Sequence, residues 1–169
     1  MKTLSKVECT EWLLTRGIAE DPYHLPEPPT VFVDQVGLPA QPWRKRTVVD
    51  ELLRACGPYE AALLQFTDWF PHGDAMTIVE GVRAQHGDQR SLIESPGHLL
   101  VPGEQGLLLG IFSLAMFYGF TAYLYFSHGT TILEWEGEML DLWTSDEQRF
   151  TEAQVAFERL KLERPSADA

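Results

Sequence analysis

The sequence predicts an α+β fold: one domain with a mainly antiparallel sheet of about four to six strands, wrapped by helices. Three observations carry this. Strand-like runs cluster between residues 120 and 143, with helical segments before and after them. The chain has 169 residues, 44% of them hydrophobic and 22% charged, which suits one folded domain and is too apolar for disorder. A run of fifteen residues, 104–118, is apolar nearly all round and reads as a buried central helix.

The elements follow in order. Residues 5–16 form the first helix, with Ser5 and Glu8 as a capping box and Gly17 as the stop. Residues 21–30 contain four prolines and read as an ordered, extended loop. Residues 30–34 are a short strand, and 37–42 an irregular connection. A second helix spans 47–56, capped by Thr47 and ended by Gly57-Pro58. Residues 61–66 are an apolar strand. Asp74 caps a helix that stops at Gly87. Residues 90–103 are a loop with two prolines and two glycines, followed by the helix 104–118. A last amphipathic helix runs from 145 to about 162, capped by Ser145 or Thr151. The domain is expected to occupy 1–162, with 163–169 as a frayed tail.

The meander at 120–143 allows register to be counted. Ser127-His128-Gly129-Thr130 and Trp135-Glu136-Gly137-Glu138 each place an X-Gly turn between strand-like runs. Two-residue turns would pair Leu124 with Leu133 and Ala122 with Trp135, then Trp135 with Glu138 and Leu133 with Leu140. Ala122, Leu124, Phe126, Leu133, Trp135, Leu140 and Leu142 then share a core face suited to cover the helix 104–118. Thr121, Tyr123, Tyr125, Ile132, Glu134, Glu136, Met139, Asp141 and Trp143 share the other. That second face mixes aromatics with carboxylates. It reads either as a partner surface or as a face covered by another helix, such as the last one.

Several classes are excluded or disfavoured. The formal charge is −12, which argues against nucleic-acid binding. The N-terminus lacks the apolar run of a signal peptide. Residues 107–126 are uncharged and long enough to span a bilayer, but no basic flank orients them and Gly119 divides them. No membrane association is expected, and the location expected is cytoplasmic. Cys9 and Cys56 lie in helical segments, without metal-ligand spacing, and read as buried free thiols. The acidity is one-sided: from Ser91 to Gln148 there is no Lys or Arg, and six acids lie between Glu134 and Glu147.

Chemical motifs are sparse. No phosphate loop, dinucleotide fingerprint or calcium loop is present, and no cofactor is expected. The loop from Arg90 to His98 brings Glu94, Ser95 and His98 close in sequence, as candidates for a hydrolase or small-ligand site. Asp68, His72 and Asp74 are candidates for a metal site. The basic cluster Arg44-Lys45-Arg46 reads as solvated or paired with acids elsewhere. The reading leans away from an enzyme and towards a module that binds a basic protein partner through Tyr123, Tyr125, Glu134, Glu136, Asp141 and Trp143. In size and charge the chain resembles the small acidic bacterial immunity proteins that inhibit toxins. That likeness is one of type, carried by no motif. A structural subunit of a larger assembly, or a homo-oligomer, is also compatible with the sequence.

Overall fold

The structure is a computed structural model and describes residues 1–20, 31–68, 73–128 and 130–165. Among these residues seven strands form one sheet: β1 (Lys2–Leu4), β2 (Phe32–Gly37), β3 (Ala62–Asp68), β4 (Gly97–Leu100), β5 (Thr121–Phe126), β6 (Thr131–Glu136) and β7 (Met139–Thr144). Their order is β1-β4-β3-β5-β6-β7-β2, and every neighbouring pair is antiparallel. The helices are α1 (Lys6–Leu14), α2 (Pro42–Ala55), α3 (Gly73–Gln85), α4 (Gln105–Tyr118) and α5 (Glu147–Leu160). The class is α+β as expected, but the sheet is wider than four to six strands. The strands missed are β1 and β4, of three and four residues, too short to show an alternation. The extended loop expected at 21–30, and Gly129 of the first turn, lie outside the described residues.

Local chemistry explains most boundaries. Ser5 and Glu8 form the expected capping box: Glu8 Oε2 accepts from Ser5 N at 2.7 Å, and Ser5 Oγ accepts from Glu8 N at 3.3 Å. α2 starts at Pro42, five residues before the expected Thr47. Proline suits the first helical turn because its missing N–H has no helical acceptor to lose. Thr47 instead donates back to Trp43 O at 3.1 Å. The cap of α5 is Asp146 rather than Ser145 or Thr151. Its Oδ1 accepts from Gln148 N at 3.0 Å and Arg149 N at 3.1 Å.

The first hairpin pairs Ala122 with Trp135 and Leu124 with Leu133, as counted. The second pairs Trp135 with Leu140 and Leu133 with Leu142, two residues from the expected register. Its turn is Gly137-Glu138, with Gly137 at φ 58°. A two-residue hairpin tolerates that φ best at glycine. Because the slip is even, every side chain keeps its face.

The core face of the sheet carries Leu64, Phe66, Leu124, Phe126, Leu133, Trp135, Leu140 and Leu142. α2, α4 and α5 cover it, contributing Leu52, Leu108, Phe112, Met116 and Phe157. α4 is buried only on its inner side, through Leu108, Ile111, Phe112, Ala115 and Met116. Gly106, Gly110 and Phe117 are exposed, so α4 is not the buried central helix expected. The two outward glycines present no side chain to bury. Beside them, Leu107 and Leu114 form an apolar groove of about 190 Å³ with Ile78 and Val82 of α3. No helix among the described residues is long and apolar enough to cross a membrane.

Two residues of the basic cluster, Arg44 and Lys45, are structural. Arg44 donates to Leu160 O at 2.9 Å, at the end of α5. Lys45 donates to Met116 O at 3.1 Å, near the end of α4, and lies 5.3 Å from the Trp135 ring. Cations at helix C-termini satisfy free carbonyls and oppose the negative end of the dipole. Cys9 and Cys56 are free and buried, and burial pushes each thiol up to about 12.

Candidate functional site

The face opposite the core is built in two rows that cross the strands. One row is apolar: Leu63, Tyr125, Ile132, Trp143 and Val33, in register across β3, β5, β6, β7 and β2. The next is polar: Gln65, Tyr123, Glu134, Asp141 and Gln35 across the same strands. α1 lies over the first row, packing Cys9, Trp12 and Leu13 with Leu63, Tyr125 and Ile132. The helix over this face is therefore the first and not the last, because α5 packs into the opposite core.

This placement sorts the six candidate contact residues. Tyr125 is buried, its ring stacked on Tyr123 with centroids 5.8 Å apart. Its hydroxyl donates to Glu20 O at 2.6 Å, and burial pushes the phenol above its ordinary range. Tyr123 is half-buried and donates to Glu134 Oε1 at 2.7 Å. Glu134 and Asp141 are 4% and 7% exposed, so their carboxylates border the surface without standing on it. Trp143 is half-buried and Glu136 exposed.

Glu134 and Asp141 stand directly opposite each other on β6 and β7. Together with Gln35, Glu136 and Met139 they line a cleft of about 280 Å³. Like charges facing each other across a sheet are unfavourable. A guanidinium or ammonium entering the cleft reverses that sign through charge-assisted hydrogen bonds. Gln35 escapes sequence reasoning, because nothing local announces that β2 pairs with β7.

The Arg90–His98 loop does not gather its candidates at an accessible surface. Glu94 is exposed and accepts from Ser91 N at 3.0 Å and Ser91 Oγ at 2.9 Å. Those bonds hold its carboxyl below the usual range. Ser95 and His98 are fully buried. The Ser95 hydroxyl, both His98 ring nitrogens and the Arg83 guanidinium have no hydrogen-bond partner among the described residues. Arg83 was not singled out by its sequence context, although its position four after Val79 puts it on the inward stripe of α3. Its nearest carboxylate oxygen is Asp88 Oδ2 at 3.8 Å, and Asp88 is already held by Arg90 at 2.8 Å. Asp88 keeps Arg90 as its partner when Arg83 is removed, so Arg83→Met should leave stability unchanged or raise it, read from the urea midpoint. A clear loss would show that the guanidinium is net stabilising.

Of the metal candidates, Asp68 ends β3, Asp74 is exposed in the first turn of α3, and His72 lies outside the described residues. Among the described residues no group of three His, Cys, Asp or Glu side chains could hold a metal ion.

Compared with known proteins, the chain matches no family model, no curated protein and no solved structure.

Proposed function

We propose that this is a protein-binding module whose acidic cleft takes a basic side chain of a protein partner, to neutralise or recruit it. The observation that carries the reading is the convergence of Glu134, Glu136 and Asp141 on one cleft. No Lys or Arg occurs between residues 91 and 148, and none is among the described residues that line the cleft. A field of one sign around a concave site steers an oppositely charged partner and speeds encounter. An inhibitor of the immunity type would use such a site against a basic target.

The test compares two triple variants with equal net charge. E134Q/E136Q/D141N neutralises the cleft, and E147Q/E152Q/E158Q neutralises α5. Affinity capture from the native host identifies the partner, and calorimetry measures both variants against it. The cleft variant should weaken binding by at least about tenfold and the α5 variant by far less. Equal weakening would mean that only overall charge matters, and would remove the cleft from the reading.

A second reading, a subunit of a larger assembly, is favoured by the apolar groove between α3 and α4, whose lining includes the exposed Ile78. It requires self-association or a co-assembling chain, and light scattering on the purified protein tests the former.

A further inference from the structure

The two edges of the sheet are unlike. β1 is three residues long and begins with Lys2, a short charged edge of the kind that resists further pairing. β2 is six residues long, FVDQVG, with neither lysine nor proline. Its hydrogen-bonding sense is fixed by two contacts. Leu38 N donates to Glu138 O at 2.8 Å, towards the sheet, and Gly37 N donates to Glu163 O at 2.7 Å, away from it. Backbone groups alternate along a strand, so the N–H and C=O of Val33 and Gln35 also point outward. Gln35 lines the acidic cleft, and Val33 is 47% exposed.

The chain's own C-terminal segment already shows what this edge takes. Glu163 gives it a backbone acceptor. Arg164 then grips Asp34 with two bonds, Nε to Oδ1 at 3.1 Å and Nη2 to Oδ2 at 2.8 Å. Residues 163–164 are thus held to β2 by one backbone hydrogen bond and a bidentate arginine–carboxylate pair.

We propose that the outer edge of β2 receives an extended, arginine-containing segment of the basic partner as an added strand. This rests on the acidic-cleft reading and specifies how the partner engages it. The four outward groups of Val33 and Gln35 supply the ladder, and alternate side chains supply specificity. A side chain opposite Gln35 faces the cleft. Asp141 stands about 10 Å from the added strand, two strand spacings away, which an arginine and an aspartate side chain together span. A second copy of this chain is the poorer occupant. Pairing β2 with β2 would set two acidic clefts side by side on molecules of charge −12 each.

The test uses a fluorescein-labelled heptapeptide, TRVRVRT, and the same peptide N-methylated at the residues facing β2. N-methylation keeps every charge and removes the strand donors. Anisotropy titration should show the N-methylated peptide binding at least about tenfold more weakly. Val33→Pro removes one outward N–H and leaves the β2–β7 ladder intact, as edge positions allow. It should weaken the parent peptide similarly, with circular dichroism confirming the fold. The peptide pair keeps the test informative should that variant not fold. If N-methylation and Val33→Pro change nothing while E134Q/E136Q/D141N weakens binding, strand addition is overturned and the cleft reading stands. If none of the three changes binding, both fall. Self-association in light scattering that Val33→Pro abolishes would assign the edge to a second copy and overturn the proposal.

Discussion

Gly97→Ala should destabilise the protein by about 1–3 kcal/mol, and Cys9→Ala in the same chain should restore most of that loss. Gly97 is buried on β4, between β1 and β3. A Cβ at this position would fall well inside van der Waals contact with Cys9 Sγ. It would also lie 3.1 Å from Leu4 Cβ and 3.3 Å from Leu4 O. At Gly97 the backbone of β4 is thus approached closely by α1, through Cys9, and by Leu4 of the paired strand β1. Cys9 can turn only a little, because its thiol is enclosed and faces Leu4 O at 3.9 Å. Relief must then come from moving α1, which holds Trp12 and Leu13 over Tyr125 and Ile132. Removing the sulfur removes the worst overlap, so the two substitutions should be strongly non-additive in urea unfolding. Additive losses would mean that α1 reseats freely and that the glycine is not needed for the close approach.

The same region marks the limit of what the sequence discloses. Within the meander, neighbours in space are neighbours in sequence, so counting from Ser127 through Gly129 gives the true pairs of the first hairpin. The second turn is displaced by one residue, which shifts the pairing by two, because Gly137 takes the first turn position instead of the second. The face of Glu134 and Asp141 survives this because side chains repeat every second residue. The candidate site is therefore legible as a set of residues sharing a face. Its exposure is not. Whether Tyr125 meets a partner or a helix depends on α1, more than a hundred residues earlier in the chain. The same holds for Gln35, which joins the cleft only because β2 closes the sheet beside β7. Arg44 and Lys45 carry the same lesson: their charges serve the ends of α5 and α4, which local spacing cannot reveal.

Acidification from pH 7 to pH 5 should cost the protein about 2 kcal/mol of stability through His98 alone, and His98→Leu should remove that slope. His98 is fully buried on β4, with its ring set edge-on to Phe66 at 5.2 Å. Burial is the main reason its pKa drops to about 3, and the nearby charge of Arg83 pushes the same way. The main chains at Leu64 and Pro96 oppose the shift, but neither ring nitrogen reaches hydrogen-bonding geometry with them. Below about pH 6.5 the unfolded chain takes up a proton at this histidine, and the folded chain does not until about pH 3. The unfolded state therefore binds more protons throughout that window, and stability must fall as pH falls through it. Glu8, Asp88 and Glu94 have lowered pKa values through hydrogen bonds from Ser5, Arg90 and Ser91. Their stabilising contributions are present above the ordinary carboxylate range and are lost as pH falls through the lowered values, below the interval in which His98 acts. Urea midpoints of the wild type and His98→Leu at pH 7, 6 and 5 give the comparison. Equal slopes for the two proteins would place the proton uptake elsewhere and deny that the imidazole is held neutral in the fold.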